Sequence, residues 1–124
     1  MATRILVVED EKNSRAAMAD FLSECGFEVE TASSGDCAVE IGESFAPQIL
    51  ICDWMLEGDR DGVSVARQLN EKLPDLVVVF VTGLPVEDLR RQSASLPVHR
   101  YLAKPFGLFE LNRVIGEISP GMVS

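Results

Sequence analysis

Carboxylates, a hydroxyl and an ammonium recur at the ends of apolar runs along this chain. Ile5-Leu6-Val7-Val8 leads into Glu9-Asp10, and Ile49-Leu50-Ile51-Cys52 leads into Asp53. Leu76-Val77-Val78-Val79-Phe80-Val81 leads into Thr82-Gly83, and His99-Arg100-Tyr101-Leu102-Ala103 into Lys104-Pro105. Glu9, Asp10 and Asp53 packed together would repel one another and raise each other's pKa values. A divalent cation resolves that conflict, since Mg²⁺ needs only one or two protein carboxylates and keeps several waters. Asp53 is the candidate nucleophile, because carboxylates form acyl-phosphate intermediates. Thr82 could hydrogen-bond a phosphoryl oxygen, and Lys104 could neutralise its charge. Pro105 permits a cis peptide that would fix the aim of the lysine.

Each residue has a plainer reading. Glu9-Asp10-Glu11 could be a solvated acidic turn, Asp53 a turn cap, Thr82 a strand residue and Lys104 a surface lysine. The metal reading outweighs these once a second acidic strand end lies beside the first. Trp54 is expected to wall the site or pack. His99, the single histidine, has no Ser or Cys nucleophile arranged with it and reads as a strand or surface residue.

Positioning these groups requires an alternating fold. Strand patterns at about 4–9, 27–32, 48–53, 76–82 and 98–103 alternate with five helical patterns, which implies a parallel sheet with helices on both faces. The first, third and fourth runs are nearly continuous in Val, Ile and Leu, as central strands should be. Phe27-Glu28-Val29-Glu30-Thr31 alternates and reads as an edge. Helical stripes are formed by Met18, Phe21, Leu22 and Cys25, with Gly26 as a stop, and by Ala38, Ile41 and Phe45, between a cap at Ser33 or Ser34 and Pro47. Val63, Ala66, Leu69 and Leu73 form a third, ended by Pro74. A weak fourth, near Val86–Ser95, has only Val86, Leu89 and Ala94. Leu108, Leu111, Val114, Ile115 and Ile118 form the fifth, before Pro120-Gly121. In such sheets ligands bind beyond the strands' carboxyl ends. A flavodoxin-like order 2-1-3-4-5 would put Glu9-Asp10 beside Asp53 where the winding reverses.

Composition narrows the function. The 124 residues fit one domain, expected to span 1–124, with 47% hydrophobic and 25% charged residues. A net charge of −9 disfavours direct nucleic-acid binding. Cys25, Cys37 and Cys52 suit neither a zinc site nor a disulfide framework, so a reducing, cytoplasmic location is expected. Met1-Ala2-Thr3-Arg4 leads straight into a strand pattern, so no signal peptide is expected. No apolar run approaches the ~20 residues of a membrane span.

Taken in order, Ile5-Leu6-Val7-Val8-Glu9-Asp10-Glu11, Ile51-Cys52-Asp53-Trp54-Met55-Leu56, Asp61-Gly62, Phe80-Val81-Thr82-Gly83 and Tyr101-Leu102-Ala103-Lys104-Pro105-Phe106 resemble the receiver domain of two-component response regulators, the CheY-like family. The resemblance covers essentially the whole chain. It implies a (βα)5 fold in which Asp53 accepts a phosphoryl group from a histidine kinase or histidine phosphotransfer protein. Asp10 would bind Mg²⁺ (or Mn²⁺) directly, Glu9 through water, and the backbone carbonyl of Met55 would complete the protein's share. Thr82 and Lys104 would hold the phosphoryl group, and Tyr101 would turn inward as Thr82 moves. The surface of the fourth helix, fifth strand and fifth helix would then change for a downstream target or output domain. Self-association through that face is a further option that no motif supports. Such a domain is a signalling module rather than a conventional enzyme, and no membrane partner is implied.

Several positions depart from the family pattern. Glu9-Asp10 replaces the commoner Asp-Asp. The loop Met55-Leu56-Glu57-Gly58-Asp59-Arg60-Asp61-Gly62 lacks the usual Pro and is one residue longer, and Pro97-Val98 replaces Gly-Ala. Met55 and Leu84 occupy positions that influence phosphoryl loss in the family. Both are apolar, which implies a long-lived phosphorylated state. Two alternatives stand beside this reading. A Mg²⁺-dependent phosphohydrolase would usually carry a second Asp where Met55 stands. A phosphorylation-independent interaction module would not need the intact Asp53, Thr82 and Lys104.

Overall fold

The computed structural model describes residues 2–58 and 60–118, the side chain of Ile118 excepted. Asp59, Pro120 and Gly121 lie outside the described residues, as does the apolar contribution expected of Ile118. Strands and helices alternate as β1 (Arg4–Val8), α1 (Lys12–Glu24), β2 (Glu28–Ala32), α2 (Gly35–Phe45), β3 (Ile49–Asp53), α3 (Gly62–Lys72), β4 (Val77–Thr82), α4 (Val86–Gln92), β5 (Val98–Ala103) and α5 (Leu108–Ile118). All strands are parallel, in the order β2-β1-β3-β4-β5. This is the flavodoxin-like arrangement expected.

Period-2 side-chain direction divides the core into two layers. Leu6 and Val8 of β1 join Ala38, Val39, Val65, Leu69 and Leu89, from α2, α3 and α4. Ile5 and Val7 point the other way, against Met18 and Leu22 of α1 and Leu111 and Ile115 of α5. Every residue of β3 and β4 is buried, as continuous apolar runs in central strands require. β2 alternates as an edge. β5 is the opposite edge and fully buries only Leu102.

Local chemistry sets the helix ends. Gly26, at φ 98°, turns the chain after α1. Ser34 caps α2, accepting from the Cys37 N–H at 3.3 Å. α2 ends on Ala46, at φ 52° directly before Pro47, and the Arg4 Nε donates to its carbonyl at 2.9 Å. Gly42 lets α2 lie against α3, since a β-carbon there would come within 2.7 Å of Leu69 Cδ2.

One detail, the end of α4, departs from expectation, and two others go beyond it. The cap of α1 is Glu11, whose carboxylate accepts from the Asn13 and Ser14 N–H groups at 3.1 and 2.6 Å. Those hydrogen bonds, from Ser14 first, hold its pKa below the usual carboxylate value. α4 stops at Gln92 rather than Ser95, because its stripe supplies one buried residue, Leu89, while Ala94 is exposed. Leu96 packs on the core instead. β5 carries a bulge: Val78 pairs with Val98 and Val79 with Arg100, leaving His99 as the extra residue. His99 is exposed, and its Nδ1 accepts from the Val78 N–H at 3.4 Å.

Candidate functional site

Strand register brings the polar strand ends together. Val8 pairs with Cys52, Asp53 with Val81, and Thr82 with Ala103. Glu9, Asp53, Thr82 and Lys104 therefore follow one another along a single sheet edge. Carboxylate oxygens of Glu9, Asp10 and Asp53 lie within 4.8 Å of one another. Glu9 is only 1% exposed and Asp53 6%.

Lys104 bridges the two buried carboxylates. Its Nζ lies 2.7 Å from Asp53 Oδ2 and 3.1 Å from Glu9 Oε1. Burial alone would lower the ammonium's pKa, but hydrogen bonds and charges from Asp53 and Glu9 outweigh it and raise the value. One ammonium does not offset three carboxylates. Burial, then the hydrogen bond and charge of Asp53, push Glu9 from 4.5 to about 7, against the opposing pull of Lys104. Glu9 Oε2 is buried with no hydrogen-bond partner. A buried acceptor left unpaired is costly. Three carboxylates gathered this closely, one with an unpaired oxygen, are a donor set suited to a divalent cation.

Backbone amides of the β3–α3 loop complete the rim. The Met55 N–H donates to Asp53 Oδ1 at 3.3 Å, and the Glu57 N–H to Asp10 Oδ2 at 3.2 Å. The loop closes where the Gly62 N–H donates to the Trp54 carbonyl at 2.8 Å. Trp54, 6% exposed, packs in the core beside Asp53. Arg60 pins the other end, with its Nε 3.1 Å from Asp36 Oδ1 and its Nη1 on Gln68 Oε1. Its side chain and carbonyl occupy the space a β-carbon on Gly35 would need.

Thr82 is buried, and its Oγ1 engages its own loop: it accepts from the Leu84 N–H at 3.0 Å and donates to the Leu84 carbonyl at 3.3 Å. The Lys104 N–H donates to the Thr82 carbonyl at 2.8 Å. The Lys104–Pro105 peptide is cis. Tyr101 is half-buried on β5, its ring centroid 6.2 Å from that of Phe80 and 4.6 Å from the Arg90 guanidinium carbon. Its hydroxyl lies 2.8 Å from Ser93 Oγ. That Oγ donates to the Leu89 carbonyl at 2.7 Å, so the Tyr101 hydroxyl is the donor between the two. Met55 and Leu84, each two residues beyond Asp53 and Thr82, are 51% and 46% exposed.

Glu9, Asp10, Asp53 and Lys104 thus form one contact cluster, with Thr82 adjacent through the backbone. Tyr101 stands apart, tied to the end of α4. Arg15, the Glu57 amide and Ser93 escape a reading of the sequence alone, because no periodic pattern marks their contacts. Gly62, read with Asp61 in the sequence, follows the α3 cap.

The strand order and this edge of acidic and basic groups fit a receiver-type signalling domain, and the relatives identify the family. Residues 5–116 match the response regulator receiver domain family, and the chain belongs to it. It is 36% identical over 111 residues to the response regulator MprA of Mycobacterium ulcerans, covering 90% of this chain and 47% of that protein. It is 33% identical to the phosphate regulon transcriptional regulatory protein PhoB of Escherichia coli, covering 97% and 55%. The chain therefore spans about half the length of these curated relatives. Among solved structures, a CheY-like receiver domain from Methanospirillum hungatei superposes with TM-score 0.91 at 22% identity, covering 98% and 97% of the two chains. The response regulator TrrA of Thermotoga maritima, solved in complex with Mg²⁺-BeF, gives 0.81 at 29% identity, covering 94% and 98%. None of the helices among the described residues is long and apolar enough to cross a membrane.

Proposed function

We propose that residues 1–124 act as one receiver unit in which Asp53 accepts a phosphoryl group from a histidine kinase or histidine phosphotransfer protein. The observation that carries this reading is Asp53 held 2.7 Å from Lys104, beside a Glu9 carboxylate that shares the same ammonium and leaves its Oε2 unpaired. Asp10 and Glu9, with Asp53 and the Met55 carbonyl, would hold Mg²⁺ or Mn²⁺. When bound, that cation neutralises charge on the carboxylates and the phosphoryl oxygens. A carboxylate oxygen of Asp53 attacks phosphorus. The O–P bond forms as the P–N bond to the donor histidine breaks, and the departing imidazole keeps the electron pair. Positioning and charge neutralisation supply most of the catalysis in such transfers.

Lys104 exchanges part of its pairing with Glu9 and Asp53 for a phosphoryl oxygen. The Thr82 hydroxyl gives up the Leu84 carbonyl for another. Tyr101 responds through the space Thr82 vacates, and the α4-β5-α5 surface shifts between two arrangements read by a downstream target or output domain. The short α4, with Leu89 as its single buried residue, is a low-stability element suited to moving. We place this activity in the cytoplasm, where its three free cysteines stay reduced.

Mg²⁺ with beryllofluoride is expected to change Trp54 fluorescence, because the indole adjoins Asp53. A wild-type protein that shows no change would instead fit an interaction module working without phosphate. The exposed apolar side chains of Met55 and Leu84 orient no attacking water, so phosphoryl loss is expected to be slow. Met55→Asn should speed it in a phosphate-release time course; unchanged or slower release would remove Met55 as a determinant.

A further inference from the structure

We propose that Arg15 is a positioning residue for the two acidic side chains at the end of β1. The ladder between β1 and β3 ends at Val8 and Cys52. Beyond it the Glu9 N–H still donates to the Ala32 carbonyl, at 3.1 Å, before the chain leaves the sheet. Arg15, half-buried in the first turns of α1, takes over there: its Nη1 donates to the Glu9 carbonyl at 3.0 Å and to the Asp10 carbonyl at 3.4 Å. Its own N–H donates to the Glu11 carbonyl at 3.0 Å, and Glu11 caps the same helix. One guanidinium therefore ties two successive peptides of the turn to the helix that follows. Both contacts come from Nη1, at the end of a long, planar side chain whose reach a shorter lysine does not match.

The grip is on the carbonyls, not the carboxylates. It leaves both carboxylates directed into the cluster with Asp53. Two opposing consequences of losing Arg15 can therefore be told apart by sign. As a mere nearby positive charge, Arg15 would repel a cation, and its removal would tighten binding. As a positioning residue it keeps the oxygens in place, and its removal weakens binding.

The proposal rests on the cation-binding reading above, and its test separates the two. Mg²⁺ titration of the full chain, followed by Trp54 fluorescence, is expected to show roughly tenfold weaker affinity in Arg15→Met, in the range typical when groups that orient metal ligands are removed. Arg15→Lys, which keeps the charge and one donor group, should lie between that and wild type. Arg15→Met binding Mg²⁺ as tightly as wild type, or more tightly, overturns the proposal. A wild type with no Mg²⁺ response overturns the cation reading instead, and amide exchange in the metal-free protein then decides on Arg15. The Glu9 amide, which donates to the Ala32 carbonyl at 3.1 Å, should exchange faster in Arg15→Met than in wild type; an unchanged rate overturns the positioning role. Should Arg15→Met fail to fold, Arg15→Lys carries both comparisons.

Discussion

Gly62→Ala is expected to destabilise the protein by about 3 kcal/mol or more, near the upper end of what overpacking a tight site costs. A β-carbon on Gly62 would press into the Asp53 carbonyl oxygen, and would sit 3.0 Å from both the Asp53 carbonyl carbon and the Trp54 Cα. Every one of these atoms is backbone, so no side chain can swing aside. The position is also fixed from its other side, by the 2.8 Å hydrogen bond from the Gly62 N–H to the Trp54 carbonyl. Relief requires moving the start of α3 away from the end of β3, which moves Asp53 itself. Urea unfolding should show the midpoint shift, and a thermal melt a fall of roughly 10 °C. A variant within ~1 kcal/mol of wild type would contradict the packing of α3 on β3.

The metal-free protein is expected to lose stability as pH rises from about 4.5 to about 7, and Glu9→Gln should abolish most of that loss. The folded protein holds the Glu9 proton more tightly than the unfolded chain does. Below the unfolded value both states are protonated, and Glu9 costs nothing. Above the folded value the fold must carry a buried carboxylate beside Asp53, at a cost on the order of 3 kcal/mol. Lys104 reduces that cost but is itself 35% exposed and shared with Asp53. At pH 8 and without divalent cations, Glu9→Gln should therefore be the more stable protein, by roughly 2 kcal/mol. At pH 4 the two should converge. Mg²⁺ should raise the stability of wild type more than that of Glu9→Gln. Parallel stability curves for the two proteins across this range would show that Glu9 is not the strained group. On this account Glu9 is kept for function at a cost to the metal-free fold.

The sheet was legible because β1, β3 and β4 are continuous apolar runs that only a doubly covered strand can bury. Their predicted starts ran one residue early at Gln48 and Leu76, which precede the paired residues. The cluster was legible because its members sit at strand ends, and parallel register aligns such ends. What was not legible depends on where particular side chains turn, which no hydrophobic period encodes. Glu11 reads as one more acid of a solvated turn, yet its carboxylate closes the first turn of α1. Arg15 and Ser93 look like ordinary helix-surface residues until the β1 turn and Tyr101 are seen against them. The bulge at His99 follows from pairing across β4 and β5, which no local pattern encodes. The end of α4 was misplaced because Ala94 fits a helical stripe, while burial favours Ser93 and Leu96 instead.

The central claim is that Asp53 is the residue that becomes phosphorylated. Its most direct test is labelling by a small phosphodonor or a histidine kinase, in wild type and Asp53→Asn, with and without Mg²⁺. The account predicts label on wild type in the presence of Mg²⁺, little without it, and none on Asp53→Asn under either condition. Label that persists on Asp53→Asn would contradict it.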